Sequence, residues 1–127
     1  MKLLSVYQCL CDPTRLRLLH LLSIRALCVC HFQEILGEPQ VKISKHLAYL
    51  KARGMAKSRR HQNWMIYSLP ARRNCDLENN LRCLRECAAT EPVLKKDALR
   101  LARLKTGCDP LEVPIKTKRL TSRSQLT

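Results

Sequence analysis

The sequence predicts a mainly α-helical protein with one small β-hairpin, a winged helix-turn-helix that dimerises through its terminal helices. Three observations lead there. Pro39 to Gly54, PQVKISKHLAYLKARG, read as a helix with Ile43, Leu47 and Leu50 on one face and Lys42, Lys45, Tyr49 and Arg53 on the other. After Gly54 the helical period gives way to alternation in MAKSRRHQNWMIYSLP, the pattern of a hairpin. A narrow stripe of Leu77, Leu81, Leu84 and Ala88 then marks a helix over 74–89, read as a dimer seam.

In chain order, Leu3, Tyr7 and Leu10 give the stripe of a short first helix. A second helix follows in CDPTRLRLLHLLS. Asp12 is a suitable N-cap, and Pro13 sits at the first helical position, where its missing N–H costs nothing. Leu16, Leu19 and Leu22, with Leu18, form its buried side, and Arg15 and Arg17 fall outside it. Val29, Phe32 and Leu36 mark the inner face of a third helix. Gly37 and Pro39 punctuate the turn into the fourth, which Gly54 stops. Two short helices joined by a tight Gly-containing turn, the second with a basic outer face, form a helix-turn-helix with its recognition helix.

The hairpin turns around His61-Gln62-Asn63, with Asn63 expected in the left-handed conformation. Met65, Tyr67 and Leu69 alternate to one face, Arg59 and Arg60 flank the tip, and Pro70 ends the hairpin. A basic hairpin in this place is a wing that contacts phosphates or the minor groove. Glu91-Pro92 interrupts the chain before a short basic helix over 93–104. Residues 1–105 are thus assigned to one DNA-binding and dimerisation domain. Residues 106–127, with Pro110, Pro114 and no periodicity, are assigned to a basic mobile tail.

Bulk composition narrows the function. The 127 residues suffice for one domain with its own core. The formal net charge is +14, spread along the chain, which favours a polyanionic partner such as DNA or RNA. An anionic membrane surface is the alternative, but no apolar run approaches the length of a span. The N-terminus has neither the apolar core nor the cleavage site of a signal peptide, so a cytoplasmic location is expected. Eight cysteines suit a secreted disulfide scaffold, yet the absent export signal and abundant leucine favour reduced thiols. There is no phosphate loop, no Cys-x-x-Cys of the thioredoxin kind and no plausible nucleophile–base set, so an enzyme is not expected and no organic cofactor is called for. A zinc-stapled module would want paired Cys clusters and a poor core, whereas the leucine stripes supply a core without metal.

Three passages resemble the ArsR/SmtB family of winged-helix metalloregulatory repressors. CDPTRLRLLHLL is similar to the family's ALADPTRLRILxLL stretch. ALCVCHF resembles ELCVCDL, the metal-site motif of arsenic-responsive members. QVKISKHLAYLKARGMAKSRRHQNWMIYSL resembles the recognition helix and wing. The resemblance covers about Leu10 to Leu69. It implies a homodimer on a palindromic double-stranded DNA operator. It places DNA contacts at Gln40, Lys42, Ser44, Lys45, His46 and Tyr49, and at Arg59, Arg60, Gln62 and Asn63 of the wing.

In this frame Cys28-Val29-Cys30 is the chemical centre. Thiolates bind soft ions such as As(III), Sb(III), Cd(II) or Pb(II), and a helix N-terminus favours the thiolate. The leading expectation is a repressor released when As(III) or Sb(III) binds Cys28 and Cys30. The alternative is a Cd(II)/Pb(II)-responsive or thiol-redox-responsive repressor of the same fold. Side chains at i and i+2 of a regular helix do not face each other, so a shared ion is expected to require the helix start to unwind. Arsenic-responsive relatives often carry a third Cys where this chain has Gln33, and an Asp where it has His31, which is not assigned as a ligand. Cys83 and Cys87, at i and i+4, are candidate additional ligands; Cys9 and Cys11 are read as packing, Cys75 and Cys108 as incidental. The zinc site that some members build along the last helix has no histidine here, because His20, His31, His46 and His61 all precede it.

Overall fold

The computed structural model describes residues 1–104. The tail assigned to 106–127 therefore lies outside the described residues. Six helices and three strands follow one another: α1 (Lys2–Leu10), α2 (Pro13–Leu22), β1 (Leu27–Cys28), α3 (Val29–Leu36), α4 (Gln40–Ala52), β2 (Lys57–His61), β3 (Trp64–Ser68), α5 (Cys75–Cys87) and α6 (Pro92–Ala102). Chain punctuation sets the boundaries. The Asp12 carboxylate accepts from the Thr14 and Arg15 amides at 2.8 and 3.1 Å, capping α2 at its expected start. The Asn74 side chain does the same for α5 through the Leu77 amide at 3.0 Å. Gly37 and Gly54 end α3 and α4 at φ +71° and +75°, a conformation that costs a residue with a Cβ about 1–2 kcal/mol.

The core gathers Leu18, Leu19 and Leu21 of α2, Phe32 and Ile35 of α3, and Ile43, Leu47 and Leu50 of α4, all without solvent exposure. The apolar face expected for α4 is therefore the one it buries. α3 packs on α4 as the two halves of the helix-turn-helix. The sheet is antiparallel in the order β1-β3-β2, with Cys28 opposite Ile66 and Arg59 opposite Ile66 from the other side.

Several expectations are corrected. α1 buries Val6 and Cys9, not the stripe of Leu3, Tyr7 and Leu10; Leu3 and Tyr7 face solvent and Leu10 is half-buried. Small side chains let α1 lie close on α2 and α5, so the larger ones turn outward. The stripe of Leu77, Leu81 and Leu84 is not a free seam, because all three residues are buried in the chain's own core. In β3 the fully buried residue is Ile66, while Met65 and Tyr67, and Leu69 just past the strand, are half-buried. β1, a two-residue strand too short to show a period in the sequence, pairs with β3 at Ile66 and Tyr67. In the hairpin loop the positive φ, +56°, falls on Gln62 and not on Asn63.

α6 is fastened at two points. The Arg17 guanidinium of α2 donates twice to Asp97, at 2.8 and 2.9 Å, and the Asp97 side chain is only 1% exposed. Arg100 donates to the Ile35 carbonyl of α3 at 2.8 Å. Among the described residues no helix is long and apolar enough to cross a membrane.

Candidate functional site

Cys28 and Cys30 occupy the junction where β1 becomes α3. Cys28 is the N-cap, with extended backbone at φ −95° and ψ 169°. Cys30 is the second helical residue. The extended cap swings the first side chain over the helix end, and the two Sγ atoms lie 2.6 Å apart. Convergence thus needs no unwinding of the helix, contrary to the expectation from i, i+2 spacing. That rule holds only when both residues are helical, and Cys28 is not.

His31 completes the cluster. Its Nδ1 accepts from the Cys28 amide at 3.3 Å and lies 3.4 Å from the Cys28 sulfur. Accepting that N–H leaves the lone pair on Nδ1 and assigns the neutral ring's proton to Nε2. The ligating atoms of Cys28, Cys30 and His31 all lie within 4.8 Å of one another. His31 and Cys28 are buried and Cys30 is exposed, so the cluster opens on one side. His31 is not assigned as a ligand from the sequence. The capping-box spacing, in which the third helical residue reaches back to the N-cap amide, is the signal that finds it.

The cluster opens onto a cleft of about 340 Å³. Cys28, Val29, Cys30 and Gln33 line it together with Gln40 at the start of α4 and Asn63, Trp64 and Met65 of the hairpin. Gln33, at the position of the relatives' third cysteine, offers an amide in place of a thiolate. The two sulfurs, at the mouth of an open cleft and at a helix N-terminus, form a donor set that suits a soft cation.

Among the described residues the other cysteines stand apart from this group; Cys108 lies outside the described residues. Cys83 and Cys87 bring their sulfurs to 3.9 Å on the exposed face of α5. The hydrogen bond and charge of Cys83 push the Cys87 thiol up from its ordinary value. Cys9 is buried, and burial raises its thiol, as suits packing; Cys11 and Cys75 are exposed.

The basic face is built on α4 and the hairpin. Residues 39–75 carry Lys42, Lys45, Lys51, Arg53, Lys57, Arg59, Arg60, Arg72 and Arg73 and no carboxylate. Gln40, Lys42, Lys45, Arg59, Arg60, Gln62 and Asn63 are exposed, and Ser44 is half-buried. Lys42 Nζ is 3.2 Å from Glu38. His46 is turned toward the cap of α2, with Nε2 4.0 Å from Asp12 and its side chain 15% exposed. Tyr49 lies between two guanidiniums, Arg15 at 3.9 Å and Arg53 at 3.5 Å from the ring centroid. Arg15 also donates to the Gln8 and Cys9 carbonyls that end α1, at 2.9 and 3.2 Å. Lys51 donates to Ser58 at 2.8 Å, fixing the end of α4 to β2. Arg15 and Arg17, set aside in the sequence as lying off the leucine stripe, thus act as polar fasteners between helices.

A helix-turn-helix followed by a basic hairpin defines a winged-helix transcriptional regulator. Comparison with known proteins agrees. The model of the bacterial regulatory protein, arsR family, matches residues 12–58. The arsenic resistance transcriptional regulator ArsR1 of Pseudomonas putida is 36% identical over 100 residues, which span 78% of this chain and 77% of that protein. The arsenical resistance operon repressor of Escherichia coli is 39% identical over 67 residues, 52% of this chain and 57% of that one. HlyU from Vibrio cholerae shares the fold, with a TM-score of 0.63 and 21% identity over 70% of this chain and 94% of its own. The chain belongs to the arsR family of bacterial transcriptional regulators, DNA-binding proteins and not enzymes.

Proposed function

We propose that this regulator is a repressor that binds palindromic operator DNA as a homodimer in the cytoplasm and is released by As(III) or Sb(III). The observation that carries the reading is the convergence of Cys28 and Cys30 at 2.6 Å, beside a cleft that reaches the start of α4 and the hairpin. Arsenite meets the two thiols by exchange. Each S–H gives its proton to a hydroxyl of As(OH)3, two As–S bonds form, and two waters leave. Arsenic keeps its oxidation state. Gln40, Lys42, Ser44 and Lys45 face the major groove, with His46 and Tyr49 beside them. Arg59, Arg60, Gln62 and Asn63 contact the DNA backbone from the wing.

The outward side chains of Leu3, Leu4 and Tyr7 on α1, with Val93 and Leu99 on α6, offer the apolar surface for the second copy. Residues 1–105 act as one unit and 106–127 as a basic extension.

A second reading, a Cd(II) or Pb(II) sensor, is favoured by His31, whose ring nitrogen lies within 4.8 Å of both sulfurs; Nδ1 would exchange its bond from the Cys28 amide for the metal. Anisotropy of a labelled promoter duplex with the reduced protein, titrated with arsenite, decides between them. Cys28→Ser keeps a good N-cap. It is expected to bind DNA within about twofold of wild type, since the cap bond is retained, and to ignore arsenite. Release by arsenite in that variant would move the sensor elsewhere, with Cys83 and Cys87 next. Release by Cd(II) and not by arsenite would favour the second reading.

A further inference from the structure

The thiols and the hairpin form one mechanical unit. Cys28 is the last residue of β1 and pairs with Ile66, so the strand that carries the first thiol is hydrogen-bonded to β3. β3 is in turn paired along its length with β2, which carries Arg59 and Arg60. Trp64 and Met65 open β3 directly after the hairpin tip. Tyr67 and Leu69, further along the chain, pack against the main core; Trp64 and Met65 line the thiol cleft, where Gln40 of α4 joins them. Trp64 is the chain's single tryptophan and is half-buried. Two large apolar residues thus line the cleft beside the thiols, next to Asn63 of the hairpin tip.

On the reading that Cys28 and Cys30 hold the inducer, the geometry points to Trp64 and Met65 as the positioning residues that couple ligand binding to DNA release. An arsenic atom bonded to both sulfurs, with its remaining hydroxyl, adds bulk at the mouth of the cleft that these residues line. β3 is held on both edges only at Ile66 and Tyr67, whereas Trp64 and Met65 pair with β2 alone, so the displacement passes to the hairpin tip and to Gln40. Those are the parts of the wing and of α4 proposed to meet DNA. The route from inducer to operator is then short, running across the cleft and not through the core.

The test follows three signals as arsenite is added to the reduced full chain: Trp64 emission, the number of titratable thiols, and anisotropy of a labelled promoter duplex. In wild type, emission is expected to change in step with the loss of two titratable thiols, and Cys28→Ser to abolish that change. In Trp64→Ala the two thiols still react. The ratio of DNA Kd with and without arsenite falls from about tenfold or more to within about twofold, a loss of coupling and not of binding. Trp64→Phe, which keeps a ring in the cleft, restores most of the ratio. Met65→Ala, with Trp64 emission intact, gives the same comparison if Trp64→Ala does not fold. Emission that stays unmoved while two thiols are consumed overturns the inference, as does wild-type release in both Trp64→Ala and Met65→Ala. If the thiols of wild type do not react with arsenite, the inducer assignment fails and this inference falls with it. The thiol titre separates the two failures.

Discussion

At the scale of single residues, small local rules place the chemistry. Cys28 is a helix N-cap, and its extended backbone brings its sulfur to that of Cys30. His31 reaches back to the Cys28 amide and holds the cap in place. His20 is a different case. It is 2% exposed in the core, and its Nδ1 has no hydrogen-bond partner among the described residues. Burial lowers its pKa from the ordinary 6.5, with the Asp97 carboxylate pulling the other way. Between the lowered value and 6.5 the unfolded chain binds a proton that the folded chain refuses, so stability falls as pH drops through that window. Tm is expected to decrease between about pH 7 and the acid side of this window in wild type, and the decrease to be shallower in His20→Leu. Scanning calorimetry at several pH values checks this; parallel profiles for the two proteins would mean that His20 does not titrate on unfolding.

At the scale of elements, α6 illustrates how polar contacts fasten a helix that contributes few apolar groups. Its buried residues are Leu94, Asp97 and Leu101. Asp97 would be an expensive burial without the two bonds from Arg17, whose guanidinium that carboxylate in turn holds above its ordinary pKa. Arg17→Ala leaves the carboxylate buried and unpartnered, and is expected to cost about 3–5 kcal/mol of stability. Urea unfolding checks the figure, and a loss below about 1 kcal/mol, the range of surface pairs, would place Asp97 in contact with water. Arg100 carries the same helix to the last turn of α3, so α6 braces the element that bears the thiols.

At the scale of the whole molecule, charge is the dominant property. The net charge of +14 and the run of Lys and Arg over α4 and the hairpin make binding to DNA a counterion-release process. Affinity should fall steeply with salt. Lys42→Ala and Lys45→Ala should each weaken operator binding and reduce the slope of log K against log salt by about one for every phosphate that is no longer neutralised. Unchanged affinity and slope in both variants would remove α4 from the interface. Lys42 begins from its ion pair with Glu38, so its transfer to a phosphate exchanges one anion for another.

The sequence alone determined much of this protein, because much of it is written in local rules. Asp12, Asn74, Gly37 and Gly54 fix helix ends whatever lies around them. The spacing of Ile43, Leu47 and Leu50 fixes which face of α4 is buried. The Cys-x-Cys motif and the basic hairpin can be read without coordinates. What only the tertiary structure decided depends on partners distant in the chain. The pairing of Cys28 with Ile66 created a strand too short to show any period. The closeness of α1 to α2 and α5 buried Val6 and Cys9 in place of larger neighbours, and took the leucines of α5 into the core. Arg17 found Asp97 eighty residues away. The cleft that joins the thiols to Gln40 and Trp64 exists only where α3, α4 and the hairpin meet, since side chains from three elements must converge to make it.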